Sequence, residues 1–108
     1  GTDFNVVYAE NDNMARGACD AMSAAGITYG KNGKVKVIAF DANKWALEKV
    51  LAGEFNLDVE CNPLHGPRIV ELIKKLEAGE KVEKKVYVQE EVFDCDTITR
   101  EIVDAREY

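Results

Sequence analysis

Val6-Val7-Tyr8-Ala9-Glu10-Asn11-Asp12-Asn13-Met14-Ala15-Arg16-Gly17-Ala18 is the stretch whose reading decides the fold. A short apolar run is cut by four turn-forming polar residues. Met14, Ala18, Met22 and Ala25 then recur at helical spacing, with Asp12 or Asn13 as the expected N-cap and Gly26 as the stop. The pattern reads as a strand running into a helix. The run lacks alternation, which predicts a strand buried on both faces.

The same unit returns twice downstream. Val35 to Phe40 is a second apolar run, closed by Asp41; Asn43 caps a helix with Ala46, Leu47, Val50 and Leu51 inside and Gly53 as its stop. Phe55, Leu57, Val59 and Cys61 alternate with Asn56, Asp58 and Glu60, the signature of a sheet-edge strand with its apolar face buried. Pro63 and Pro67 bracket a break, and Pro67 suits the first turn of a third helix with Ile69, Val70, Ile73 and Leu76 on its inner face. Gly79 ends it, a lysine-rich stretch follows, and Val86-Tyr87-Val88 reads as a last strand. Thr97 to Ala105 fits a short terminal helix or an extended tail. Strand and helix alternate throughout, so the expected class is α/β with right-handed crossovers and a mainly parallel open sheet.

Ligands of such sheets bind at the carboxyl ends of the strands. The polar residues there are Asn11 and Asp12, Asp41 and Asn43, and Glu60 and Asn62. Planar amides and carboxylates suit vicinal hydroxyls, as in a polyol or sugar; strand-to-helix turns also favour Asn and Asp simply for capping. Trp45, the only tryptophan, fits a stacking platform at a cleft rim or ordinary packing in a first helical turn. No catalytic group emerges. His65 stands alone between Leu64 and Gly66, no G-x-S-x-G or glycine-rich phosphate loop occurs, and Asp12 with Asp41 is the only carboxylate pair placed for acid–base or magnesium chemistry. No cofactor is expected. The formal net charge of -6 disfavours nucleic acid and anionic lipid as partners. Cys19, Cys61 and Cys95 form no C-x-x-C and read as small, half-buried apolar residues, so no disulfide framework or metal site is expected.

Four ordered motifs resemble the type I periplasmic sugar-binding proteins of ABC transporters. Tyr8 to Ala18 resembles their "A-x-N-D-x-M-A-x-G-A" stretch, and Val37-Ile38-Ala39-Phe40-Asp41-Ala42 their "V-V-G-F-D-G" strand end. Glu60-Cys61-Asn62-Pro63 with Gly66-Pro67 is similar to the galactofuranose-binding branch, and Leu76 to Val82 to the closing "L-L-x-G-K-x-V". The resemblance covers residues 5 to about 93 and implies a partial Rossmann-like lobe that binds a monosaccharide and serves a membrane permease. It implies sugar contacts by Asn11 and Asp41. Cys61 falls where ribose- and glucose-binding relatives place Gln or Asn, so Glu60 or Asn62 is expected to take over that contact. Ala39 and Ala42 replace family glycines.

The resemblance also divides the chain. Residues 1–62 belong to the C-terminal sugar-binding lobe, 63–87 to a segment that packs on the other lobe, and 88–108 to a tail that returns. Gly1-Thr2-Asp3-Phe4 runs straight into a strand without an initiator Met, which reads as a piece of a longer chain with any export signal upstream and a site of action in the periplasm or outside the cell, as a lipoprotein or free. An unpaired first strand and an uncovered third helix predict self-association. Two rivals are the effector domain of a LacI-like regulator and a flavodoxin-like enzyme or phosphoacceptor using Asp12 and Asp41. The first is disfavoured by Glu60-Cys61-Asn62-Pro63 and by Lys31-Asn32-Gly33-Lys34-Val35 standing where "I-P-x-D-V-x-V" would be.

Overall fold

A computed structural model describes residues 3–108; Gly1 and Thr2, which open the 1–62 segment, lie outside the described residues. Strands β1 (Val6–Tyr8), β2 (Lys36–Asp41) and β3 (Leu57–Glu60) lie side by side, in chain order and parallel. Val7 pairs with Val37, Ala39 with Asp58 and Asp41 with Glu60. The mainly parallel α/β class is therefore the observed one. The last strand is not at Val86–Val88, which has no regular structure; β4 (Val92–Asp94) runs antiparallel beside β3. β3 is thus an inner strand rather than an edge.

Helices α1 (Asp12–Ala24) and α2 (Lys44–Leu51) make the two parallel crossovers. Successive crossovers of one hand between adjacent strands put both helices on the same face. Burial follows that rule. Val37, Ala39, Asp58, Glu60 and Phe93 are buried on one side, while Val6, Tyr8 and Val92 on the other expose 49%, 65% and 59%. β1 is accordingly not buried on both faces as its apolar run predicts. The two rings of Tyr8 and Phe40, 5.0 Å apart, lie on this bare face. The core is Ala15, Cys19 and Met22 from α1, packed on β2, Ala46, Leu47 and Val50 from α2, packed on β3 and β4, and Val103 from the terminal helix α4 (Arg100–Asp104), which packs on α2. Each fully buried Leu or Val contributes about 1.5–3 kcal/mol.

Several boundaries move with the capping chemistry. Asn11, not Asp12 or Asn13, caps α1, and its Oδ1 accepts the Met14 N–H at 2.8 Å. The buried face of α1 runs through Ala15, Cys19 and Met22, with Met14 turned outward. Gly26 follows the end of α1 at a left-handed φ of 68°, as read. Thr99 caps α4, which settles the tail as a helix.

The third helix α3 (Gly66–Glu77) begins at Pro67 as expected, yet buries no residue. Ile69, Val70, Ile73 and Leu76 expose about half their surface, and among the described residues no other helix or strand packs extensively on α3. The chain is correspondingly elongated. Its radius of gyration is 17.8 Å, with extents of 60 × 33 × 18 Å, where a compact chain of this length would have about 13 Å.

Candidate functional site

The carboxyl ends of β1, β2 and β3 gather Asn11, Asp41, Glu60, Cys61 and Asn62 along one end of the sheet. Asn11 is half-buried with its Oδ1 spent on the cap. Asp41 and Ala42 form the β2–α2 turn with positive φ, 112° and 57°, a conformation that costs about 1–3 kcal/mol per non-glycine residue. Such a turn persists only when its surroundings fix it, and here they do so from three sides. The Ala42 N–H donates to Asp58 Oδ1 at 3.2 Å; Asn43 donates both its backbone N–H and its side-chain Nδ2 to Asp12 Oδ2, each at 2.9 Å. From the tail, Arg106 Nε donates to the Ala42 carbonyl at 2.7 Å, and the Lys44 N–H to the Tyr108 carbonyl at 2.6 Å. Burial pushes the Asp41 carboxyl up, and the Asp12 charge adds to this, while the Asp12 backbone N–H works the other way.

Glu60 does not face solvent as the alternation of β3 predicts. It is buried, with both oxygens engaged. Oε1 accepts from Arg106 Nη1 at 2.9 Å and from the Tyr108 hydroxyl at 2.6 Å; Oε2 accepts the Glu91 N–H at 2.9 Å. Burial alone would raise its carboxyl, but the Tyr108, Glu91 and Arg106 donors hold it below the usual range. The same burial and the Glu60 partner push the Tyr108 phenol up. Asp58 is fully buried beneath the turn. Desolvation first, then the Asp12 charge, raise its carboxyl to about 8 against the pull of the Ala42 N–H. The polar face of β3 is inside because each carboxyl meets a donor there. Leu57 and Val59 take the half-buried opposite face.

Cys61 is exposed, and its N–H donates to the Asp41 carbonyl at 3.3 Å. Asn62 is half-buried; its Oδ1 accepts the Leu64 N–H at 2.8 Å and its backbone N–H donates to Glu90 Oε1 at 3.0 Å. A recess of about 260 Å³ opens here, lined by Glu60, Asn62, Leu64, Arg106 and Tyr108 among others. Trp45 is half-buried on α2, packed against the core, with the Arg16 guanidinium 4.9 Å from its ring centre. Sequence reading missed Asp58, Arg106 and Tyr108, whose partners lie far along the chain.

Asp94, Cys95 and Asp96 bring metal-competent atoms within 4.8 Å of one another after β4. Turn bonds and an ion pair account for them, since Asp94 Oδ1 accepts the Asp96 N–H at 2.7 Å and Lys31 pairs with Asp96 at 2.8 Å. Cys19 is buried in the core, which pushes its thiol up to about 11.

Three parallel strands presenting Asn, Asp and amide groups at their carboxyl ends make an open α/β sheet, the architecture that places ligands at its strand ends. No family model matches the chain. It is 35% identical over 89 residues to the fructose import binding protein FruE of Bifidobacterium longum, covering 82% of this chain and 26% of that protein. A crystal structure from Mycobacterium smegmatis in complex with beta-D-fucofuranose is 41% identical with a TM-score of 0.78, covering 87% of this chain and 30% of that one. The periplasmic binding protein component of the arabinose ABC transporter from Shewanella sp. ANA-3, bound to alpha- and beta-L-arabinofuranose, is 26% identical with a TM-score of 0.83, covering 99% and 35%. By sequence and fold the chain is similar to periplasmic sugar-binding proteins of ABC importers. It spans about a quarter to a third of the length of these relatives.

Proposed function

We propose that this chain supplies one wall of a monosaccharide site in the substrate-binding component of an ABC importer, acting outside the cytoplasm and without catalysis. The observation that carries the reading is the convergence of Asn11, Asp41 and Asn62 on adjacent parallel strand ends, in a chain similar to proteins crystallised with furanoses. Asn11 has its carbonyl spent on the cap, so it meets a ligand hydroxyl through its NH2 group. Asp41 offers a carboxylate from a rigid turn. Asn62 takes the place of the third contact, since Glu60 is committed to the tail. Cys61 lies between them at the exposed strand end, and Trp45 shapes the rim through the helix it anchors. Residues 63–87 belong to a second lobe, and 88–108 return to the first; α3, which buries nothing, supports that division. Alone, the chain self-associates through the unpaired edge of β1 and the uncovered α3. The carboxylate pair of a flavodoxin-like enzyme is less favoured, because Asp12 is buried and bonded to Asn43.

The reading is tested in the full-length protein. Asn11→Ala or Asp41→Ala should each weaken sugar binding by ~1.5–3 kcal/mol in calorimetry, since each leaves a buried hydroxyl unpaired. Unchanged affinity in both variants overturns it. A half-cleft does not exclude water, so the 108-residue chain by itself should bind monosaccharides no tighter than about millimolar; micromolar binding would refute the single-wall assignment.

A further inference from the structure

Asp12 and Asp58 come from different elements, the first turn of α1 and the middle of β3, and both are fully buried. Each spends one oxygen on the β2–α2 turn: Asp12 Oδ2 holds Asn43, and Asp58 Oδ1 holds the Ala42 N–H. Each has one oxygen left, Asp12 Oδ1 and Asp58 Oδ2, and these are buried without another partner. The charges acting on Asp58 among the described residues are carboxylates, Asp12 and Asp41, with no cation beside them. Arg106, which reaches the same turn at the Ala42 carbonyl, is occupied there and by Glu60 and Tyr108. The two carboxyls hold adjacent residues, Ala42 and Asn43, and the Asp12 charge reaches Asp58; two buried carboxylate oxygens left unpaired there would repel and lack solvation, and one proton between them removes both defects.

We propose that Asp12 and Asp58 share a single proton, and that this carboxyl–carboxylate pair is the positioning device that keeps the Asp41–Ala42–Asn43 turn in its left-handed shape. The proton resides on Asp58. Asp12 is the better anion host, with two amide donors at 2.9 Å and a place in the first turn of a helix, where the macrodipole favours negative charge; Asp58 has one donor at 3.2 Å. Asp58 then donates from Oδ2 to Asp12 Oδ1, and the three elements that meet at the turn are tied by one continuous chain of hydrogen bonds. Ionising Asp58 places two charges in that space and pushes apart the groups that hold Ala42 and Asn43. The turn that carries Asp41 is therefore sensitive to alkaline pH. Its bearing on ligand capture rests on the sugar reading above; the sharing of the proton does not.

The sign follows from linkage. The folded chain keeps a proton on Asp58 that an unfolded aspartate releases near pH ~4, so this stabilisation is complete below that value and fades as pH rises through the folded value of about 8. The test uses the 108-residue chain without sugar, so its failure is distinct from failure of the sugar reading. Carboxyl-carbon NMR of the wild type should show one aspartate titrating near pH 8, assigned to Asp58 by its loss in Asp58→Asn. In Asp12→Asn that midpoint should fall by more than one unit. Asn at 58 keeps both hydrogen bonds without the titration. Over pH 5–7 the wild-type unfolding constant should therefore rise about tenfold per unit relative to Asp58→Asn. If the variants do not fold, the wild-type titration decides alone. Titration of every aspartate below pH 5, or equal pH slopes in wild type and Asp58→Asn, overturns the proposal. So does a fall in the midpoint on adding millimolar magnesium or calcium, which would make the pair a cation site.

Discussion

Arg106→Ala should be the most damaging single change in the terminal tail. The guanidinium fills three roles at once: 2.7 Å to the Ala42 carbonyl, 2.9 Å to Glu60 and 2.6 Å to the Tyr108 hydroxyl. It also stacks 4.1 Å from the Tyr108 ring centre. The Arg106 and Glu60 side chains expose only 10% and 7% of their surface. Removing one partner of a buried pair costs about 3–5 kcal/mol. Glu60 would retain the Tyr108 hydroxyl and the Glu91 N–H, which places the expected loss near ~3 kcal/mol. Arg106→Lys keeps the charge but not the fork, so it should lose roughly half as much. Urea unfolding at pH 7 is the assay, with a midpoint shift of roughly 1–3 M for the alanine variant. In a double-mutant cycle with Glu60→Gln the loss should shrink by at least ~1.5 kcal/mol, because no buried charge is then stranded. The pair also has a pH signature. The Glu60 donors lower its carboxyl, so the stabilisation is present above the unfolded value of about 4.3 and lost as pH falls through the folded one. A loss below ~1 kcal/mol, or one that is the same with and without Glu60→Gln, would refute the clamp.

Two further outcomes follow from the geometry. Asn11→Ala should destabilise the chain by about 1 kcal/mol through loss of the α1 cap, whereas Asn11→Ser keeps a capping oxygen and most of that stability; thermal melts read the difference, and equal melting points for both would show that the cap contributes nothing. Ile73→Glu on α3 should leave stability within ~0.5 kcal/mol, as expected for an exposed site, while lowering the mass of the self-associated species in light scattering at micromolar concentration; a wild-type chain that scatters as a 12 kDa monomer at every concentration would sink the association.

The alternation of element types was plainly legible, because strand ends and helix starts carry strong punctuation: Asn11 and Asp12, Asp41 and Asn43, Pro67 and Gly79. Faces were harder. The period of two in β3 marks two sides but not which is inside, and the usual inference fails when the polar side finds donors. Asp58 and Glu60 are buried because Ala42, Asn43 and Asp12 stand on one side and Arg106 and Tyr108 on the other. Those partners come from up to 48 positions away, beyond any local window. β4 escaped for a related reason. Val92-Phe93-Asp94 is too short to announce itself, and only pairing with β3 makes it a strand, while the more apolar Val86-Tyr87-Val88 has nothing to pair with. The motif comparison did carry one structural clue. Ala42 stands where relatives of this type place glycine, and its φ of 57° shows why glycine suits that position.

Residues 63–89 leave the sheet beyond the end of β3 and come back towards β4 through a single doorway. The Glu60 N–H donates to the Glu91 carbonyl, and the Glu91 N–H to the Glu60 carboxylate, so entrance and exit are latched to each other. To the sheet, everything between is one oversized hairpin connection. The entropy of closing such a connection grows only with the logarithm of its length, so exchanging it for a four-residue turn would alter the sheet's stability by roughly 1–2 kcal/mol. The strands, α1, α2 and α4 are in that sense a chassis, and the excursion is cargo bolted to it at two adjacent points. Cargo mounted this way tolerates insertion, shortening and replacement without disturbing strand register, which leaves that arm of the protein free to diverge while the strand-end residues stay where they are.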